Sequence, residues 1–301
     1  MTTLNWLRDH IPAVARPMLA ATHRFLDIHL STDRSIIRRQ YARNFGRPPD
    51  LSHPRSLNEM IQRRKLHDRR PILRMFCDKV AVRDYVAARV EPEYLVPLLG
   101  VFKRPEEIPW DELSAPYVVK ASHGCGWNLF VFDSAEADPS KMTRALRDWL
   151  KTDFFYNARE WAYKGVPRRI MVERFIGCGR DAPDEFKFLC FDGVPRAAYV
   201  MADRFTNPTM TWYSIDWTPL PFASNPGPAS PRPAPPALDE MLKVAAKLSQ
   251  GMDFLRVDLY CVEGRVYCGE LTVYPSAGYE LFEPPEAGEW LGRFWTLPEH
   301  A

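Results

Sequence analysis

Phe254-Leu-Arg-Val-Asp258-Leu-Tyr-Cys-Val262, then Glu263-Gly264-Arg265, then Val266-Tyr-Cys-Gly-Glu270-Leu-Thr-Val273 is the stretch whose reading decides the architecture. Two runs rich in apolar and β-branched residues flank a Glu-Gly turn signal, so they read as the antiparallel strands of one hairpin. Folding about that turn pairs residues whose numbers sum to about 527 or 528, which sets Asp258 opposite Gly269 or Glu270. Two carboxylates then share a sheet face at about 5 Å between Cβ atoms, a destabilising placement unless something neutralises them. Both also lie inside apolar strands, where a bare charge is costly. Two readings follow. Oxygen ligands on a rigid sheet suit Mg²⁺, which takes a few carboxylates, water and substrate phosphates; otherwise the pair belongs to a solvated sheet face. Arg256, two residues before Asp258, is a phosphate clamp in the first reading and an ion-pair partner in the second.

A second hairpin precedes it. Phe186-Lys-Phe-Leu-Cys-Phe191 turns at Asp192-Gly193, a strong tight-turn signal, into Arg196-Ala-Ala-Tyr-Val-Met201. Further upstream, Tyr117–Ser122 and Asn128–Asp133 are short β-rich runs on either side of His123-Gly-Cys-Gly-Trp127, and Arg169–Ile176 is another strand. Helices are expected at Asn58–Lys65, at Asp78–Arg89 with Asp78 as N-cap, at Lys141–Lys151 and at Leu238–Gln250, the last ended by Gly251. Residues 1–50 read as amphipathic helices, with Leu4, Leu7 and Ile11 and then Phe25, Leu26, Ile28 and Leu30 at helical spacing. They either pack on the main body or lie on a membrane surface, a peripheral association. Between Trp217 and Leu238 there are eight prolines in twenty residues, so Pro219–Pro236 reads as irregular: a lid, a substrate-binding element or a linker. The whole is α+β, with antiparallel sheets and flanking helices.

Composition excludes little. The 301 residues carry a formal charge of +2, with 46% hydrophobic and 26% charged residues, an ordinary globular profile in which no global field argues for nucleic acid or a membrane surface, and no nucleic-acid partner is expected. Six cysteines show no CxxC spacing, which reads as reduced core cysteines and disfavours a zinc site. Arg8, Asp9 and His10 interrupt the first apolar stretch, so no signal peptide is read, and no apolar run reaches the roughly 20 residues of a membrane span. A cytoplasmic location is the expectation.

Two further motifs carry chemistry. In Lys120-Ala-Ser-His-Gly-Cys-Gly-Trp-Asn128 a strand lysine precedes a loop whose glycines can present backbone N–H groups to phosphate oxygens, although a plain hairpin loop has the same signature. His123 in that loop is either catalytic or structural. Glu173, near the end of an apolar strand, can accept from an adenine amino group, with the extended backbone after it reading the ring edge.

The order of these pieces resembles the ATP-grasp superfamily and, within it, the TupA-like ATP-grasp proteins of bacterial cell-surface polysaccharide biosynthesis. The resemblance runs from about Arg38 to near the C-terminus. It rests on Phe45-Gly46, Pro54, Leu57-Asn-Glu59, Asp78-Lys79, Tyr94-Leu-Val-Pro97, Leu99-Gly100, Lys120, His123-Gly124, Arg159-Glu-Trp161, Lys187-Phe188, Phe191-Asp-Gly193, Asp203-Arg-Phe205, Asp216-Trp217, Arg256-Val-Asp-Leu-Tyr260 and Gly269-Glu-Leu-Thr272. It implies an ATP-grasp fold in which two α+β subdomains, residues 78–172 and 173–301, hold the nucleotide, with a helical region at 1–77. It implies that Lys79, Lys120, His123, Gly124, Gly126, Glu173, Phe175 and Lys187 contact ATP, that Asp258 and Glu270 hold Mg²⁺, and that Arg204 or Arg256 stabilises an acyl phosphate. Thr272 stands where many of these enzymes have a metal-binding Asn, and its hydroxyl can still ligate. Asn58-Glu59-Met60 replaces an Asn-Glu-Lys, so a basic role there is lost.

The activity implied is ATP-dependent joining of a carboxylate, saccharide or small molecule, to an amine such as an amino acid. No GxSxG or Cys/His nucleophile signature competes with it. The other class considered is a glycosyltransferase or sugar-binding protein, suggested by nine tryptophans and opposed by the lack of an Asp-x-Asp.

Overall fold

The computed structural model describes residues 31–298, and the chain divides into two units, Met1–Pro49 and Asp50–Ala301. The expected helices over Leu4–Ile11 and Phe25–Leu30 lie outside the described residues. The first unit contributes α1 (Asp33–Phe45), which starts where Thr32 Oγ1 accepts from the Ser35 N–H at 3.2 Å.

In the second unit, α2 (Leu57–His67) opens on a capping box between Ser56 and Glu59. After α3 (Pro71–Cys77), α4 (Ala81–Val90) begins three residues later than Asp78. Asp78 still serves the helix start, accepting from Val80 and Ala81 N–H at 3.0 and 3.3 Å. A four-stranded sheet follows from β1 (Leu98–Phe102), β2 (Tyr117–Ala121), β3 (Asn128–Val131) and β4 (Ile170–Arg174) in the order β1-β4-β2-β3. Between β3 and β4 run α5 (Pro139–Lys151) and the single turn α6 (Phe155–Ala158). Met142 and Leu146 of α5 close a small core over Val119, Val131, Ile170 and Val172.

The larger core belongs to a five-stranded sheet, β7-β6-β5-β8-β9, built from β5 (Glu185–Phe191), β6 (Val194–Ala202), β7 (Thr209–Tyr213), β8 (Phe254–Val262) and β9 (Arg265–Thr272). Every strand pairing within the two sheets is antiparallel. Met241, Val244, Ala245 and Leu248 of α7 (Leu238–Ser249) cover one face, and α8 (Glu286–Gly292) closes the described chain. The expected α+β organisation is therefore what the chain adopts. Both expected hairpins form through two-residue turns whose residues all have positive φ: Asp192 at 49° and Gly193 at 77°, Glu263 at 53° and Gly264 at 79°. The strands β1 and β7 and the helices α3 and α8 were not expected. The two helices have seven residues each, barely two turns, too few for a periodic signal.

Near its turn the last hairpin pairs Leu259 with Cys268 and Tyr260 with Tyr267; past a bulge at Gly269 it pairs Asp258 with Glu270 and Arg256 with Thr272. Both register sums expected from the sequence thus occur, one on each side of the bulge. Three of the six cysteines are buried as expected, Cys77, Cys190 and Cys268, whereas Cys125 and Cys178 are exposed, because each sits beside glycine in an open loop. Pro219–Pro236 contains no helix or strand, only isolated bridges. Among the described residues no helix is long and apolar enough to cross a membrane.

Gly269 makes room for a functional side chain. A Cβ there would stand 2.5 Å from the Tyr260 ring, whose hydroxyl donates to Glu185 at 2.8 Å. Gly269→Ala should displace that ring and destabilise the protein by about 1–3 kcal/mol, the usual cost of overpacking. Urea unfolding with an unchanged midpoint would show that the ring swings aside freely.

Candidate functional site

Strand alternation and register assemble the site from residues far apart in sequence. Lys187 on β5 faces Asp258 on β8, and Asp258 faces Glu270 on β9. Glu185, Arg256, Tyr260 and Thr272 lie two residues from members of that row and so on the same face. Lys187 Nζ donates to Asp258 Oδ2 at 2.6 Å, and Arg256 grips both Asp258 oxygens at 2.7 Å. Arg256 also donates to Thr272 Oγ1 and Tyr199 Oη, each at 3.0 Å. Glu185 lies 2.9 Å from Lys187 and accepts from Arg204 at 2.5 Å. Lys79, which follows Asp78 ahead of α4, is 3.4 Å from Glu270.

These contacts set the protonation states. Burial alone would push the Glu185 carboxyl up, but Lys187 and Arg204 together bring it down to about 2. Burial would likewise depress the Lys187 ammonium, and Asp258 and Glu185 more than reverse that. Glu270 is held below its ordinary value because Lys79, Arg256 and Lys187 overcome its desolvation.

Residues of the smaller sheet border the same cleft. Lys120 of β2 and Arg83 of α4 take the two oxygens of Glu173 on β4 at 2.6 and 2.7 Å. Phe175 just beyond β4 packs edge-on against Phe130 and Phe132, while its N–H donates to the Pro116 carbonyl at 3.1 Å. Two connected spaces result. The first is lined by Lys79, Lys120, Gly126, Glu173, Phe175 and Asp258; the second, of about 780 Å³, by Lys187, Arg256, Thr272 and the buried Glu160; Arg204, Glu270 and Glu185 border both.

Eleven of the thirteen residues singled out from the sequence thus line this cleft. His123 and Gly124 do not. His123 is 3% exposed, with Nε2 3.0 Å from the Trp149 carbonyl and its ring against Trp127. Burial lowers its basicity. A Cβ on Gly124 would meet the Trp127 ring at 2.5 Å, so that glycine serves loop packing. Sequence reading missed Arg83, Glu160 and Glu185 as site residues; Glu160 stood in the Arg159-Glu-Trp161 of the resemblance without a role, and Glu185 had the Glu-x-Lys alternation that sets it on the face of Lys187.

Asp258, Glu270 and Thr272 bring together two carboxylates and one hydroxyl, all oxygen, the donor type Mg²⁺ takes. Arg256 and Lys187 hold Asp258, Arg256 holds Thr272 and Lys79 faces Glu270, so a cation carried in with phosphates would exchange with these contacts. Among the described residues no cluster of three or more His, Cys, Asp or Glu could cage a metal alone.

The sequence model of the TupA-like ATPgrasp family matches residues 59–295. No curated protein matches the chain. Solved structures similar to it include D-alanine–D-alanine ligase from Bacillus anthracis complexed with ATP, with 17% identity, a TM-score of 0.38, and coverage of 66% of this chain and 53% of that one. Phosphoribosylamine–glycine ligase from Thermotoga maritima gives 16%, 0.39, 67% and 48%. The ATP-grasp ligase PsnB with a precursor variant, Mg and ADP gives 10%, 0.41, 72% and 55%. The chain spans about half the length of these structures.

The Glu185 environment has a measurable consequence. Its folded-state carboxyl lies below the unfolded one, so it adds stability above about pH 4.5 that is lost as pH falls toward 2. The stability gap between wild type and Glu185→Gln should narrow by about 3 kcal/mol across that window. A gap independent of pH in urea titrations would mean that Lys187 and Arg204 do not hold the carboxylate ionised.

Proposed function

Because the chain belongs to the TupA-like ATP-grasp family, we propose that it is an ATP- and Mg²⁺-dependent ligase that joins a carboxylate to an amine through an acyl phosphate, releasing ADP. The observation that carries this reading is the row Lys187–Asp258–Glu270 beside Arg204 and Arg256, facing Lys79 and Lys120 across one cleft. Phosphoryl transfer needs positioning and charge stabilisation more than a nucleophilic side chain, and this cleft supplies fixed cations in quantity.

In this reading Lys79 and Lys120 bind the nucleotide phosphates, with the backbone around Gly126 beside them. Glu173 and Phe175 border the base, and Lys187 belongs to the nucleotide-facing set. Asp258, Glu270 and Thr272 hold Mg²⁺, which when bound neutralises the transferring phosphoryl oxygens. Arg204 and Arg256 then stabilise the charge that develops as a carboxylate oxygen attacks the γ-phosphorus and ADP departs. The ion pairs Lys120–Glu173 and Lys79–Glu270 pre-position both lysines. We further propose a place in bacterial cell-surface polysaccharide biosynthesis, in the cytoplasm, with a uronic acid or an amino acid among the substrates; this rests on the sequence resemblance alone.

Asp258→Asn, which leaves Lys187 and Arg256 uncompensated at a cost of about 3–5 kcal/mol, and Glu270→Gln should, in protein that circular dichroism shows to be folded, lose Mg²⁺-dependent ATP turnover by about 10²-fold or more, as for other electrostatic groups of this kind. Mass spectrometry of products from a panel of uronic and amino acids should show ADP and phosphate. AMP and pyrophosphate, or full activity in both variants, would sink the reading.

A further inference from the structure

Eight carboxylates are buried among the described residues: Glu59, Asp68, Asp78, Glu160, Glu173, Glu185, Asp253 and Asp258. Seven of them are satisfied. Glu59 accepts three backbone N–H groups. Asp68 and Asp253 hold Arg70, and Asp78 holds Arg169. Glu173, Glu185 and Asp258 have the lysine and arginine partners described above. Glu160 is different. It is 6% exposed and lines the 780 Å³ cavity, and its carboxylate has no hydrogen-bond or ion-pair partner among the described residues. The cation nearest in effect, Lys65 of α2, spends its hydrogen bonds elsewhere, on the Ala277 carbonyl at 2.5 Å and Gln62 Oε1 at 3.0 Å.

A buried carboxylate without a partner is expensive, and it is relieved either by taking up a proton or by a counter-charge with N–H donors. A divalent metal ion would find a single carboxylate there, with the cation Lys65 already acting on it. A hydroxyl of a ligand would satisfy one hydrogen bond and leave the charge. A primary ammonium supplies both charge and donors. We infer that Glu160 is the seat of the amine substrate, receiving its ammonium group in the second cavity. The chemistry assigned to that seat rests on the ligase reading; the binding does not.

The ionisable groups acting on Glu160 or under its influence are Lys65, Cys77, Cys125, Tyr163, Glu270 and Tyr274. Burial pushes the Glu160 carboxyl up against the pull of Lys65, and Glu270 adds to the rise. That makes Glu160 a better proton acceptor than an ordinary carboxylate. In the ligation, one proton passes from the ammonium to Glu160, freeing the nitrogen lone pair. The lone pair attacks the acyl carbon, the C–N bond forms, and the C–O bond to the phosphoryl group breaks. Phosphate leaves with that electron pair and takes the second nitrogen proton as hydrogen phosphate. Glu160 then releases its proton to water.

The test uses methylammonium, the smallest primary ammonium, on the full chain labelled with ¹³C at glutamate Cδ. The Glu160 signal is the one lost in both Glu160→Gln and Glu160→Asp, so either variant suffices if the other fails to fold. Methylammonium should shift that signal saturably in the wild type, and sodium chloride at equal ionic strength should not. Other methylammonium-induced shifts around the cavity should need at least about tenfold more ligand in Glu160→Gln and recover in part in Glu160→Asp. No shift of the Glu160 signal, an equal shift with sodium chloride, or a response to Mg²⁺ in place of methylammonium overturns the inference. ADP release is assayed separately, so an enzyme that binds methylammonium but turns over no ATP would contradict the ligase reading alone.

Discussion

Asp258 is a carboxylate with 3% exposure in the middle of a five-stranded sheet, and the arrangement of the cleft depends on balancing that one charge. Two cations do so, Lys187 from the neighbouring strand and Arg256 from its own. Removing one partner of such a buried set typically costs 3–5 kcal/mol, because the survivor is left uncompensated. The requirement fixes strand register. A slip of β5 by one residue would place Phe186 or Phe188 opposite Asp258 and turn Lys187 to the α7-covered face. Charge balance and hydrophobic alternation therefore enforce the same pairing, and the site is correct wherever the core is.

The same logic links the two walls. Lys79 reaches Glu270 from the start of α4, and Lys120 and Arg83 share Glu173 across β2, β4 and α4. Each cation is held by a carboxylate already in place, which lowers the entropy that a bound anion must overcome to order it. In the proposed reaction the lysines exchange part of a carboxylate contact for phosphate oxygens, and little has to move. Preorganised charge of this kind is what a phosphoryl-transfer site requires.

The sequence carried some of this site and hid the rest, for physical reasons. The Asp258–Glu270 pair was legible because a two-residue turn sets the register of the strands beside it, and the bulge at Gly269 shifts it by only one. The Lys187–Asp258 contact spans 71 residues and Arg83–Glu173 spans 90, and no local pattern encodes pairing between strands or helices so far apart. Glu160 stands between a left-handed Arg159 (φ 56°) and the 3₁₀ turn Trp161–Tyr163, outside any helix or strand, where periodicity gives no direction to a side chain. His123 shows the converse. A histidine in a glycine loop looks chemical, but three-dimensional packing against Trp127 and the Trp149 carbonyl turns it away from the cleft.

The proline-rich segment shows how composition can forbid regular structure and still permit order. Prolines lack the N–H of a ladder strand, so this stretch cannot extend the sheet as a sixth strand. It lies instead along β7, an edge strand, and satisfies it by irregular contacts. Met210 N–H donates to Gly227 at 3.0 Å, Ala229 N–H to Thr211 Oγ1 at 3.2 Å, and Arg232 N–H to Tyr213 Oη at 2.7 Å. Arg232 then ties the segment to Asp184 and Asp203 beside β5 and β6. An exposed edge would invite pairing with another chain, and a proline-bearing cover blunts it. Pinned in this way, the segment carries Asn225 and Pro226 to the rim of the second cavity, so the device that protects the sheet edge also walls the space into which Glu160 faces.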